Sequence, residues 1–239
     1  MKIKGIYHCE PKYFGLVKSL GFTHTECSTG ALPGPDLSKF PDFIKAAHEA
    51  GLHTIAEFGF NKNLAEGLNA LRVSGICKDC LIGFVDEPNM EHNSENYSQR
   101  KYTPEEVSDW SAMTGHYDSK TTVTLGPLDT WDGYENCADI VAFDWYGKTS
   151  DLWSMMKIAF RVLKFRIKHR GELMAVPPLR YSAQSVKEHD KFWSLLGVKN
   201  RFWYCFNTGQ NDYEEHWLPE NLDKMLEFQE VLRSINKEK

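Results

Sequence analysis

Eight short apolar or β-branched runs recur along the chain, each closed by Gly, Pro or a polar cluster. They begin at Ile3, Phe22, His53, Leu81, Thr121, Ile140, Glu172 and Arg201, and that pattern predicts buried strands. Between them lie stretches with helical spacing. One follows Pro11 and stops at Gly21, and a second runs from Leu37 to Gly51 with Asp36 or Ser38 near its start as caps. Both end on the glycine that a helix C-terminus favours. Thr103, Pro104, Glu105 and Glu106 read as an N-cap, an N1 proline and first-turn acids. Leu152 to His169 is apolar and turns basic toward its end, as a helix C-terminus prefers. Leu218 to Ile235 predicts the closing helix, with Leu222, Met225, Leu226 and Val231 at helical spacing.

About eight strand–helix units in one chain predict an α/β fold, a single compact (β/α)8 TIM barrel spanning residues 1–239. The architectural alternative, an open doubly wound sheet, lacks a glycine-rich first turn here. No cofactor is expected. The longest insertion, 89–102, is polar and directly follows the fourth strand.

Composition narrows the function classes. The chain has 239 residues, 41% hydrophobic and 13% aromatic, enough for a core. Its 28 Lys+Arg against 33 Asp+Glu give a net charge of -5 without a basic stripe, so a nucleic-acid partner is not expected. No apolar run reaches the ~20 residues of a membrane helix, so no membrane partner is expected. MKIKGIYHCEP is too short in its apolar part for a signal peptide, and six scattered cysteines suit reduced thiols; both favour a cytoplasmic location.

The chemistry concentrates at strand ends. Side chains alternate faces along a strand. In IVAFDWYG, Val141, Phe143 and Trp145 form a bulky face suited to lie under helices, while Ala142, Asp144 and Tyr146 share the barrel side. In LIGFVDEP, alternation assigns Gly83, Val85 and Glu87 to the interior, and Asp86 points the other way or lies in the plane of the rim. Carboxylates at the C-terminal ends of barrel strands sit where such enzymes keep their chemistry. Paired acids, one kept protonated by poor solvation, suit glycosidic bond cleavage. The structural alternative for Glu87 is a cap or an ion pair with an arginine.

IGFVDEPN, with FDWYG two strands later, resembles the barrel glycoside hydrolases related to β-galactosidases and cellulases. The resemblance implies a TIM barrel, a carbohydrate substrate and Glu87 as proton donor. Beside it, Asp144 is expected as the partner acid or transition-state stabiliser, and Asp86 and Tyr146 as groups that position and tune the pair. Two departures stand out. Asp86 occupies the position of the usual Asn, and the seventh strand, MAVPPLRY, lacks the nucleophile glutamate of that family. Other barrel precedents resemble it too: a fourth-strand acid aided by Asp and Tyr on the sixth, or Asp on both strands. A non-catalytic carbohydrate-binding barrel and a metal-dependent hydrolase or isomerase are the alternatives.

Further rim groups fill out a sugar site: His8 on the first strand, Glu26 on the second, Glu57 on the third, Tyr146, Arg180 and Asn207. As a metal site, His8, His24, Glu26 and Glu57 would supply N/O ligands, without the close spacing of a recognised motif. Trp203 is the expected stacking platform, because Phe202, Tyr204 and Phe206 take the opposite parity. Trp131 and Trp217 are expected to line the cleft. Cys77 and Cys80 predict free thiols or a local disulfide at the far face, and Thr-Gly-Gln-Asn-Asp after the eighth strand is a weak phosphate-binding candidate.

Overall fold

The computed structural model describes residues 2–7, 9–27, 40–57, 68–69, 72–73, 80–89, 101–114, 119–127, 130–179, 182–204 and 226–237. Eight parallel strands close a barrel in chain order. They are β1 (Lys4–Ile6), β2 (His24–Cys27), β3 (His53–Glu57), β4 (Cys80–Asp86), β5 (Thr121–Leu125), β6 (Ile140–Asp144), β7 (Glu172–Val176) and β8 (Asn200–Trp203). β1 pairs with both β2 and β8, which seals the ring. The chain is a single-domain (β/α)8 barrel, and every predicted run carries one strand.

Among the described residues the named α-helices are α1 (Phe14–Ser19), α2 (Phe40–Glu49), α3 (Pro104–Thr114), α4 (Leu152–Lys168), α5 (Ala183–Leu195) and α6 (Leu226–Asn236). Local chemistry fixes their ends. In the predicted capping box, Thr103 N–H donates to Glu106 Oε2 at 2.7 Å and Glu106 N–H to Thr103 Oγ1 at 3.2 Å, satisfying two orphan donors. Asp151 caps α4 by accepting from Ser154 N–H. Gly21 and Gly51 take φ of 85° and 76°, the left-handed conformation that ends a helix and that other residues resist. The start of the closing helix before Leu226 and the Asp36 and Ser38 caps lie outside the described residues. The sequence reading left α5 out. Its signals were present: a Ser182 cap on Ser185 N–H, buried Val186, His189, Phe192 and Trp193 at helical spacing, and Gly197 at φ 71°.

Two apolar layers follow from strand alternation. Ile55, Ala142, Met174, Val176 and Phe202 fill the barrel. A Cβ on Gly5 would meet the Phe202 ring at 2.1 Å, so the small residue lets that ring lie across the interior. The other parity packs under the helices. Val141, Phe143 and Trp145 join α4 and α5, and Ile6 and Trp203 join α1 and α6. Burying each such large side chain contributes about 1.5–3 kcal/mol.

β4 breaks strict alternation. Gly83 pairs with Thr122 and Asp86 with Thr124, so three steps on β4 match two on β5. This is a β-bulge, which re-aims the strand end. It corrects the unbroken alternation expected through Glu87.

Candidate active site at the C-terminal mouth

Glu87 sits one residue past β4. Its backbone has φ 45°, a left-handed conformation costly for a non-glycine residue and found mainly where the surroundings enforce it. Here they do. Glu87 N–H donates to Thr124 O at 2.9 Å. Two residues on, buried Asn89 accepts from Gly126 N–H at 2.9 Å and donates to Gly126 O at 3.1 Å and Thr130 O at 3.3 Å. Trp131 Nε1–H also donates to Gly126 O, and Tyr102 N–H returns the insertion to Pro88 O. The bulge spoils the alternation, and the left-handed turn restores Glu87 to the mouth. Asn89 is a positioning residue that the sequence reading passed over; an asparagine beside a strand-end acid was the available signal.

Asp144 ends β6 on the interior row of Ala142 and Tyr146, as alternation predicts, and is buried. The Glu87 side chain hydrogen-bonds Asp144, and burial raises the Glu87 pKa above the ordinary carboxylate value, with the Asp144 hydrogen bond pulling it back. Glu87 is thus disposed to hold a proton where most carboxyls are ionised. Two carboxyls in hydrogen-bond contact leave no space for a sugar ring between them.

Glu57 ends β3 and accepts from Tyr7 O–H at 3.2 Å. A Cβ on Gly83 would lie 2.6 Å from Glu57 Cγ and 3.2 Å from Ile55 Cγ2, so the glycine is the floor on which Glu57 rests. Glu26 is buried and aligned with interior Ile55. His24, considered as a ligand beside it, lies at the start of β2, stacked toward His53 with ring centroids 5.2 Å apart. Among the described residues no group of three or more His, Cys, Asp or Glu is disposed to hold a metal.

The aromatic expectations need correction. Trp203 is fully buried in the layer shared with α1 and α6, because β8 turns Arg201 and Trp203 outward and Phe202 inward. Arg201 accordingly reaches Asp190 and Ser194 of α5. Trp131 is also core, stacked on Phe143 at 4.4 Å. Among the described residues the rings at the mouth are tyrosines: Tyr146 stacks on Tyr204 at 5.0 Å and 28°, and Tyr204 lies 6.0 Å from Tyr7. Tyr204 was assigned to the wrong side with Phe202 because Trp203 was given the cleft-facing parity, and Tyr7 was not singled out on the first strand.

His8, Arg180, Asn207, Trp217, Cys77 and the Thr-Gly-Gln-Asn-Asp segment lie outside the described residues, as does the side chain of Asp86. Cys80 is a buried free thiol beside Thr54 O–H. A cavity of about 510 Å³ lined by Lys2, Arg166, Glu172 and Asn200 opens at the opposite, N-terminal face. It is remote from the paired acids, and barrel chemistry belongs to the C-terminal face.

No family profile matches the sequence, and no curated protein matches it. Solved structures do share the fold. An endo-1,4-β-mannanase from Rhizomucor miehei aligns with a TM-score of 0.64 at 9% identity, covering 99% of this chain and 95% of that one. A GH128 (subgroup I) endo-β-1,3-glucanase from Amycolatopsis mediterranei, in complex with laminarihexaose, aligns at 0.61 and 10%, covering 98% and 99%. A truncated 3-deoxy-D-arabino-heptulosonate 7-phosphate synthase from Thermotoga maritima aligns at 0.53 and 11%, covering 98% and 85%. At these identities the likeness is one of fold, shared by glycosidases and by an enzyme of another class.

Proposed function

We propose that the protein is a glycoside hydrolase with Glu87 as general acid. The observation that carries this reading is the hydrogen-bonded Glu87–Asp144 pair at the C-terminal mouth, with Glu87 held toward its protonated form by burial. Glu87 donates its proton to the leaving glycosidic oxygen. Asp144 orients Glu87 and shares the hydrogen bond as the charge changes. Because the two carboxyls touch, Asp144 works through Glu87 and not from the far face of the sugar. Glu57, turned by Tyr7, is the carboxylate that assists attack of water at the anomeric carbon. Tyr146, Tyr204, Glu26 and Asp86 complete the contacts to ring faces and hydroxyls, with His8, Arg180 and Asn207 joining them. β-Glucans and β-mannans are the first substrates to try, since the fold neighbours include a β-1,3-glucanase and a β-1,4-mannanase.

A second reading is a carbohydrate-binding barrel without turnover. It is favoured by the end of β7, where Pro177 and Pro178 stand in place of an acid and their backbone is tied to Tyr204. Incubating purified protein with laminarin, mannan and β-1,4-glucan oligosaccharides and resolving the products by chromatography separates the two. Products that vanish in Glu87→Gln, with sugar binding retained, support hydrolysis. Tight binding with no product from the native chain over long incubation supports the binding barrel. Wild-type turnover in Glu87→Gln removes Glu87 from the mechanism.

A further inference from the structure

The outer face of α4 is apolar where a monomer's surface helix is ordinarily polar. Trp153, Met156, Phe160, Leu163 and Ile167 recur at intervals of three and four residues, the spacing of a helix-pairing seam. All are exposed, Phe160 at 71% and Ile167 at 87%, and Leu152 extends the stripe at its start. The inner face of the same helix, with Ile158, Val162 and Phe165, is already buried in the core, so the seam faces away from the barrel.

We propose that this stripe binds the same stripe of a second copy, pairing the two α4 helices antiparallel across a two-fold axis at Phe160. The pattern is self-complementary about that residue: Trp153 and Ile167 are each seven positions away, and Met156 and Leu163 are four and three away. Such a pairing sets Trp153 against the other copy's Ile167 and interleaves Met156 with Leu163, as an isologous interface requires. The area also fits. Six large apolar side chains exposed by half or more present on the order of 800 Å² per copy, about what a stable interface buries on each side.

Charge selects this occupant over a lipid surface. Much of the basic flank of α4 is paired within its own copy: Lys164 lies 3.1 Å from Asp132 and Lys168 lies 3.2 Å from Glu135, while Lys157 lies 5.1 Å over the Trp153 ring. Arg161 donates to Pro127 O and stacks over Trp131. That pairing reduces the free positive charge that would draw the helix to anionic lipid, and the whole chain carries -5. It equally relieves the repulsion that two adjacent basic flanks would create.

Sedimentation of the full chain at micromolar concentration tests this, with twice the 27.5 kDa chain mass expected. Phe160→Glu and Ile167→Glu should each sediment as folded monomers with the native circular dichroism. Phe160→Cys, at the axis, should give a covalent dimer with diamide where the native chain gives none. The Ile167 variant decides the matter if Phe160→Glu misfolds, since that position is almost wholly exposed. A monomeric native chain, a dimer that survives the glutamate substitutions, or a monomer that co-sediments with phosphatidylserine vesicles overturns the proposal.

Discussion

Glu87 and Asp144 meet through a hydrogen bond between their carboxyls at the mouth of the barrel, although β5 lies between their strands. The contact depends on a left-handed residue at the end of a bulged strand and on an aspartate at the end of a regular one. It carries the functional reading and sets the first expectations.

Glu87→Gln should lower turnover by about 10²–10⁴-fold, the usual contribution of a general acid, without loss of fold. A carboxyl whose folded pKa is raised stabilises the fold while protonated, and that contribution is lost as pH rises above the ordinary carboxylate range. The native chain should therefore lose stability relative to Glu87→Gln on going from pH 4 toward neutrality. Denaturant melts of both proteins across that range measure the difference.

Asp144→Asn keeps a hydrogen-bonding group beside Glu87 but removes one ionisation. The Glu87 limb of the pH profile of kcat/KM should move, because the Asp144 carboxyl that contacts Glu87 in the native protein is replaced. Rate profiles of the native and variant proteins on the same oligosaccharide check it; superimposable profiles would show that Asp144 does not act through Glu87.

Asn89→Ala should destabilise the protein by about 2–4 kcal/mol, because it leaves the buried amide of Gly126 without its acceptor and breaks two further bonds. Thermal melting reads this. Sugar turnover should fall through kcat more than KM, since the residue holds the turn that presents Glu87 and touches no substrate.

Gly83→Ala should displace Glu57, whose Cγ lies 2.6 Å from the position of the new methyl. Activity should fall with little change in Glu87, and a crystal structure of the variant should show Glu57 rotated from its Tyr7 partner. An unmoved Glu57 with full activity would contradict its proposed part in catalysis.

His24 supplies a separate acid sensitivity. Burial, with neighbouring His53 next in importance, lowers its pKa to about 3. A histidine depressed in the fold contributes stability that is full above its unfolded value of about 6.5 and is lost as pH falls toward 3. His24→Gln should flatten the loss of stability between those limits, measured by denaturant titration at stepped pH.

Much of this was legible from residue order. Short, nearly continuous apolar or β-branched runs closed by Gly, Pro or polar clusters mark eight strands, because a barrel strand must bury both faces. The Thr103–Glu106 box and the Asp144 row follow from contacts only a few residues apart. α5 was legible too and was passed over, its periodicity partly masked by Lys187, Glu188 and Lys191 on the exposed side.

The sequence by itself determined the alternation of strand and helix, the caps, and the presence of acids and aromatics at strand ends, because these depend on short-range sterics and on which residues shun water. Only the tertiary structure decided which of those groups meet. The extra residue in β4 becomes visible only beside β5, the outward turn of Trp203 only against α1 and α6, and the clamp of Asn89 only through Gly126. Each is a contact between segments distant in the chain, fixed by the closing of the barrel and not by the neighbours of the residue concerned.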